Sequence, residues 1–311
     1  ALLGELICDP VTSHGRFVPE YFESEKTNLL EAIRSLVNDK RDWADSRLLR
    51  TMCTGEPYSI PRLGDEETVD KLQALRLYDQ YRDLITTAPL EIIYSGSAEL
   101  DRVRQALAAA FATLPREEVR TITDAVPHVC RESVQTVEDE MEVTQGKLSM
   151  GFSCGSDDMP ALLLGNTLFG GSSNSKLFLN VREKLSLCYY ASSMYHRQKG
   201  IITVSSGIEF QNYQRAYDEI LSQLAAVQNG ELEEWELAGA RSTLLNSYAT
   251  VGDSQGKLEN FYLGQAATGR SETPADLAQA VMEVSAERIC RAMSTVKLDT
   301  VYFLKGKEAQ A

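Results

Sequence analysis

The sequence predicts an α+β protein of two similar units, each with a mixed or antiparallel sheet packed against helices. The chain has 311 residues, about twice the length of an ordinary domain. Apolar residues recur at helical spacing in most segments and fall in short alternating runs in others, so both helices and strands are expected. The two halves also share a weak internal similarity, in which four residues recur at the same spacing. They are Thr87, Leu90, Ile93 and Tyr94 in the first half and Thr295, Leu298, Val301 and Tyr302 in the second.

The first unit, residues 1–114, is predicted to be mainly helical. Pro19 and the acids after it begin an amphipathic helix that ends at about Asn38, because Pro fits a first helical turn and acids suit its positive end. Residues 90–96 (LEIIYSG) form a predicted strand that ends at a glycine before a helix. The other predicted helices run through Trp43 to Met52, at about 65–75 and 77–87, and from Leu100 to Leu114.

Residues 115–132 lack helical periodicity, carry two prolines and mixed charge, and are predicted to be the linker. The second unit, residues 133–311, follows it. Its predicted strands are 133–143, 147–155, 187–197, 201–208 and 298–306. Its predicted helices are one before Gly170, one from near Asn174, and five at about 211–228, 231–250, 256–268, 274–283 and 286–294.

The net charge and the numbers of cysteines and histidines exclude several classes of function. A net charge of −14 repels phosphate backbones and anionic headgroups, so neither nucleic acid nor a membrane is an expected partner. No apolar run approaches the roughly 18 residues that span a bilayer. The six cysteines are scattered without a CxxC pair, which favours reduced thiols in a cytoplasmic protein. The three histidines are too far apart in sequence for most histidine-dependent chemistry.

The most informative stretch is 169–193, FGGSSNSKLFLNVREKLSLCYYASS. Gly170 and Gly171 allow a sharp turn, and the small polar residues after them can cap the next helix. Arg182 lies near the end of that helix, where a cation is favourable, and Tyr189 follows seven residues later. Read from the residues alone, this pattern indicates capping and packing.

The same stretch resembles the C-terminal-half signature of the pitrilysin, insulinase and mitochondrial-processing-peptidase family, the inverted zincins. That resemblance implies that Arg182 and Tyr189 reach across a closed chamber towards bound peptide. It also implies that Gly170 and Gly171 are a short version of the Gly-rich loop with which the non-catalytic processing-peptidase subunit handles substrate. Residues 17–39 and 55–72 resemble the family's first-half helix and loop, so the resemblance covers nearly the whole chain in order. It implies a metallopeptidase-like sandwich of two units.

The zinc chemistry is where the sequence departs from active members of this family. They need an HxxEH helix and a third ligand, a Glu some seventy to eighty residues later. No HxxEH occurs in the chain, and the alignment places Ala32 at the position of the third ligand. Glu25 matches an accessory carboxylate, and Glu31 points elsewhere on the helix. The chain starts without Met, so we expect it to begin inside a longer protein whose missing part holds the HxxEH position and central strands of the first sheet.

These features predict a catalytically silent homologue that binds peptides or small proteins, pairs with an active zinc-peptidase subunit or with a second copy of itself, and needs no cofactor. An edge strand at 187–195 or 201–208 is expected to pair with the peptide. The alternative is a zinc endopeptidase whose HxxEH helix lies upstream and whose third ligand is Glu25 or Glu31. A scaffold subunit, as in the respiratory-complex core proteins of this fold, is the third possibility.

Overall fold

A computed structural model describes residues 2–120 and 127–307. The strands are β1 (Thr12–Ser13), β2 (Arg16–Phe17), β3 (Gln135–Met141), β4 (Gly146–Ser153), β5 (Cys188–His196), β6 (Ile201–Ile208) and β7 (Lys297–Gly306). The helices before the linker are α1 (Leu2–Cys8), α2 (Pro19–Ser35), α3 (Lys40–Met52), α4 (Glu66–Asp70), α5 (Ala74–Thr87) and α6 (Leu100–Ala110). Those after it are α7 (Met159–Phe169), α8 (Tyr213–Gln228), α9 (Glu234–Ala249), α10 (Gln255–Ala267), α11 (Pro274–Met282) and α12 (Ala286–Met293), with a π-helix at Leu177–Lys184.

The five long strands form one mixed sheet in the order β3-β7-β4-β6-β5. β3 runs parallel to β7, and the other neighbours are antiparallel. The predicted α+β class and the five predicted strands of the second unit are confirmed. Because β6 lies between β4 and β5, the expectation that 201–208 is an edge strand was wrong. The edge on that side of the sheet is β5.

Both faces of the sheet are covered. The segment Asp299–Leu304 of β7 is buried at every residue, which is typical of a strand with packing on both sides. Val301 and Phe303 belong to the main core, which includes buried residues of α7, α8, α9, α11 and α12. Tyr302 and Leu304 face the other way and pack against Leu48 of α3. Helix α3, from the first unit, therefore closes the second face of the sheet.

The predicted strand at 90–96 was wrong. These residues are irregular, and Leu90, Ile92 and Tyr94 are exposed. A strand needs a neighbour for its backbone hydrogen bonds, and no described strand lies beside this segment. The matching residues Leu298, Val301 and Tyr302 do lie in a strand, β7, so the two similar segments differ in structure.

The predicted helices of the first unit lie close to their observed positions. Helix α1 and the two-residue hairpin of β1 and β2, which turns at His14 and Gly15 with φ of 51° and 73°, were not predicted. Residues 121–126 of the predicted linker lie outside the described residues. After them, His128 is buried and its N–H donates to the carbonyl of Lys199 at 3.0 Å. Among the described residues, no helix combines the length and apolarity that a bilayer crossing requires.

Candidate functional site

A groove of about 580 Å³ lies where α3 crosses the sheet near its β5 edge. We call it the α3–β5 groove. One wall is α3, the floor is β5 with part of β6, and the outer wall is the Gly170–Gly171 turn with the π-helix. The residues that line it are Arg41, Asp45, Leu49, Gly170, Gly171, Ser172, Ser173, Phe178, Arg182, Tyr190, Ala191, Ser192, Ser193, Met194, His196, Thr203 and Ser205.

Arg41 lies across the floor of the groove. Its position follows from the start of α3, where the Asp39 side chain caps the helix by accepting the N–H groups of Arg41 and Asp42 at 2.9 and 3.0 Å. The Arg41 guanidinium carbon lies 4.4 Å from the centre of the Tyr190 ring. Its Nη2 donates to Ser192 Oγ at 3.0 Å. The first unit thus contributes a cation directly to a floor built by the second.

His196 closes one end of the floor as a neutral side chain. Its Nδ1 lies 3.0 Å from the Tyr58 hydroxyl, and its Nε2 lies 3.0 Å from Thr203 Oγ1. Burial lowers the pKa of His196 because it disfavours the charged imidazolium. With both ring nitrogens engaged and the ring neutral, His196 positions its neighbours and adds no charge to the groove.

Asp45 is the carboxyl group on the α3 wall. Ser149 Oγ of β4 donates to Asp45 Oδ1 at 2.6 Å. Burial raises the pKa of Asp45, although the hydrogen bonds from Ser149 and Ser205 and the charge of Arg41 oppose that shift. The carboxyl group is therefore directed at the sheet, with its negative charge disfavoured.

The paired glycines are explained by close packing. A Cβ on Gly170 would lie 2.7 Å from the side chains of Leu177 and Ser193 and 2.8 Å from the Ser193 nitrogen. A Cβ on Gly171 would lie 3.0 Å from Asn166 Nδ2 and the Thr167 Cα. The Ser193 N–H donates to the Gly170 carbonyl at 2.9 Å, so the turn is bound to the edge of β5. Both glycines line the groove, and no side chain could replace them without moving the turn.

Arg182 lines the groove, but Tyr189 does not. The Arg182 guanidinium carbon lies 4.6 Å from the centre of the Phe178 ring, and its Nε is 3.5 Å from Glu183 Oε1. The pairing of β5 with β6 shifts between Cys188 and Tyr190, which leaves Tyr189 as an extra residue on the strand. Its hydroxyl donates to the Glu209 carboxylate, which raises the pKa of Tyr189. Tyr190 occupies the floor instead, so the seven-residue spacing does not bring Tyr189 and Arg182 together in the groove.

The candidate metal positions on α2 are away from this groove. Ala32 is half-buried, and Glu25 and Glu31 are exposed. Glu25 lies at a separate apolar groove of about 580 Å³ between α1, α2 and α5, with Asn28 Nδ2 at 3.5 Å from its Oε1. A methyl group cannot coordinate zinc, and among the described residues neither Glu25 nor Glu31 belongs to a group of three or more potential metal ligands. These positions do not fit a zinc ion.

A second test of metal binding concerns Cys53, Glu56 and His128, whose ligand atoms lie within 4.8 Å of one another. Lys199 forms an ion pair with Glu56, and the His128 nitrogens lie 2.7 Å from Glu56 and 3.2 Å from Asp299. Burial raises the pKa of the Cys53 thiol to about 11, which disfavours the thiolate that zinc requires. A lysine already supplies the positive charge here. We interpret the cluster as an ion-pair network that does not fit a zinc ion.

Sequence reasoning missed Arg41, Tyr190 and His196. Arg41 lies 151 residues from Ser192 in the sequence, and no local pattern signals that they meet. Tyr190 follows Tyr189 directly, so only the bulge decides which of the two faces the groove. The capping residue Asp39 marks the start of α3 in the sequence, but it does not show which residues Arg41 contacts.

Comparisons with known proteins agree on one family. A profile described as the Peptidase M16 inactive domain matches residues 71–244, which include the Gly170–Gly171 turn, the π-helix, β5 and β6. The "Probable inactive metalloprotease YmfF" of Bacillus subtilis is 35% identical over 99% of this chain and 72% of its own length.

Solved structures extend this likeness to the fold. A conserved protein from Enterococcus faecalis superposes with a TM-score of 0.87 at 26% identity, over 100% of this chain and 74% of that one. A peptidase M16 inactive domain from Pseudomonas fluorescens superposes with a TM-score of 0.79 at 15% identity, over 100% and 75%. At that last identity the likeness concerns the fold alone.

Proposed function

Since this chain belongs to the family of peptidase M16 inactive domains, we propose that it is a catalytically silent member that binds extended peptide in the α3–β5 groove. In this proposal it acts as the partner of an active zinc-peptidase subunit or of a second copy of itself. The resemblance to the inverted zincins that the motifs indicated is confirmed. The observation that carries the proposal is a groove along an edge strand, with Arg182 on its wall.

The edge of β5 supports the binding of an extended chain. The Ser193 N–H points away from β6, towards Gly170. Because backbone groups alternate along a strand, those of Ala191 and Tyr195 point the same way. Ala191 lines the groove. A peptide lying there can pair with this edge on either side of Ser193 while its side chains contact the floor.

The proposed lack of catalytic activity is argued from a residue of the first unit. Ala32 occupies the expected ligand position, and the relative YmfF is itself named an inactive metalloprotease. We propose that the groove holds peptide without hydrolysing it and that any cleavage occurs in the partner. The proposed location is the cytoplasm, because all six cysteines are free and thiols persist in a reducing compartment.

The first experiment measures binding and cleavage together. The full-length protein, including any residues that precede this chain, is titrated with a rhodamine-labelled twelve-residue peptide rich in Thr, Val and Glu, with and without one equivalent of Zn²⁺, and bound zinc is measured by mass spectrometry. We expect saturable binding in both samples, no cleavage and less than stoichiometric zinc. Stoichiometric zinc with peptide cleavage would instead establish the endopeptidase alternative.

Arg182→Ala tests the site itself. We expect about tenfold weaker peptide affinity and a loss of about 1 kcal/mol or less in unfolding free energy, because the side chain is 40% exposed and its main contact is the Phe178 ring. Lys184→Ala is the matched control, since it removes an exposed cation from the same helix outside the groove. In a reconstituted pair with an active subunit, unchanged affinity and turnover in Arg182→Ala would contradict the role.

A further inference from the structure

The α3–β5 groove has an unusual charge for this protein. The chain carries a net charge of −14, yet two guanidinium groups, those of Arg41 and Arg182, line the groove against one carboxyl group, that of Asp45. Asp45 is turned to Ser149, and burial raises its pKa. The positive charge in the groove is therefore poorly compensated.

Arg41 has unused capacity for an anion. Its guanidinium carries five N–H donors in a planar fork, and the described contacts are one hydrogen bond to Ser192 and the stacking on Tyr190. Within residues 2–120 and 127–307, no carboxylate lies within 4 Å of its nitrogens. Asp39, on the same turn of α3, is directed at the backbone N–H groups of Arg41 and Asp42.

Arg182 is similarly available. Among residues 2–120 and 127–307, its ion pair joins Nε to Glu183 Oε1 at 3.5 Å, between side chains that are 40% and 53% exposed. Such exposed pairs contribute little, so an incoming anion can replace Glu183 at small cost. The Phe178 ring holds the guanidinium plane in place. A guanidinium that an aromatic ring holds in place presents a planar pair of N–H donors, which can bind a carboxylate through paired hydrogen bonds.

We propose that the α3–β5 groove selects peptides by a carboxylate, which Arg41 and Arg182 bind. The carboxylate is either an Asp or Glu side chain or the peptide's C-terminal carboxylate. This selection rests on the proposed peptide-binding function and adds to it the chemistry of the substrate. Lys147, whose Nζ lies 5.6 Å from the centre of the Tyr190 ring, is a further basic side chain nearby, although burial lowers its pKa and the charge of Asp39 opposes that shift. A neutral peptide lacks this electrostatic attraction and binds through its backbone and apolar side chains alone.

The test uses four rhodamine-labelled twelve-residue peptides and the full chain, followed by fluorescence anisotropy. The peptides share a Thr and Val framework, carry either two central Glu or two central Gln, and end in a free acid or an amide. We expect the Glu peptides to bind about tenfold more tightly than the Gln peptides, which corresponds to about 1.4 kcal/mol. The preference should shrink as salt rises from 50 to 500 mM. A preference that instead follows the free acid identifies the C-terminal carboxylate as the ligand.

The variants separate this proposal from its premise. Arg41→Gln and Arg182→Gln should each reduce the Glu preference at least threefold, and Arg41→Lys should retain only part of it, because the charge remains but the planar pair of donors is lost. Arg215→Gln removes an exposed cation of α8 that does not line the groove and should change nothing. Circular dichroism checks that each variant is folded. Equal binding of all four peptides would overturn carboxylate selection and leave the peptide-binding function intact, whereas no binding of any peptide would overturn both.

Discussion

The two parts of this chain form helices equally well but bury them very differently. From residue 133 onward, one continuous cluster of buried side chains joins the sheet to its helices. In residues 2–120, α6 buries no residue, and the buried residues of α5 are two threonines, Thr86 and Thr87. Leu75, Leu77, Leu84 and Leu100 are exposed. Helical periodicity therefore predicts that a helix forms, but it does not predict what the helix packs against.

Helix α3 is the exception in the first part. Ala44, Leu48 and Met52 are fully buried, and their partners are residues of β6 and β7. A Cβ on Gly151 of β4 would lie 2.6 Å from Met52 Sδ, so the helix lies directly on the strand. α3 is thus part of the second unit's packing, although it belongs to the first in sequence. The same contact places Arg41 in the groove.

Of the variants that compare the two parts, Leu164→Ala is expected to lose the most unfolding free energy. Leu164 of α7 is fully buried in the main core, and truncating such a leucine costs about 2–5 kcal/mol through lost burial and the cavity left behind. Leu84→Ala of α5 is the matched change in the first part, where the side chain is 58% exposed. We expect it to alter the unfolding free energy by about 0.5 kcal/mol or less.

Urea denaturation followed by circular dichroism measures both variants. Similar losses in Leu164→Ala and Leu84→Ala would show that the first part has a core of its own, which would break the comparison. A large loss confined to Leu164→Ala would support it.

A smaller effect is expected from Leu48→Ala, which tests the contact between the parts. Leu48 packs on Tyr302 and Leu304, with the partly buried Trp43 and Met141 beside them. Those two side chains can move into the space, so we expect a loss of about 2–3 kcal/mol, at the lower end for a buried leucine. Leu36→Ala, just before α3 and 40% exposed, is the control. If both variants lose equally little in urea denaturation, α3 does not bind the two parts together.

Much of the second unit could be predicted because its strands carry their own signal. All five strands and the helices between them follow from the periodicity of their apolar residues. The run at 90–96 matches β7 at three positions of the same spacing but has no described neighbouring strand, and a strand depends on its partner as much as on its residues. The linker at 115–132 and the division into two units remain predictions.

The candidate site was predictable only where its residues are local. Gly170, Gly171 and Arg182 belong to one motif, and all three line the groove. Tyr189 shares the motif, but a one-residue bulge turns it out of the groove, and such an irregularity has no sequence signal here. Arg41 lies 151 residues from its partner Ser192 in the sequence, and only the folded contact of α3 with the sheet reveals it.

The smallest expected effect concerns two ion pairs, one in each part. Asp158 caps α7 and accepts two hydrogen bonds from the Arg288 guanidinium at 2.9 and 3.0 Å. Although burial opposes the shift, the bonds from Arg288 and from the Ala161 N–H lower the pKa of Asp158. Arg34 and Glu66 form the comparable pair between α2 and α4, where both side chains are at least half exposed.

Asp158→Asn keeps a capping side chain but loses the charge, so we expect a loss of about 1 kcal/mol at pH 7. Because the folded pKa of Asp158 lies below the unfolded value of about 3.9, its contribution is complete above that value and disappears as the pH falls through the folded pKa. Asp158→Asn and the native chain should therefore converge in urea denaturation once the pH falls below the folded pKa of Asp158. Glu66→Gln should change stability at pH 7 by about 0.5 kcal/mol or less, and a loss as large as that of Asp158→Asn would show that the first part is held together as firmly as the second.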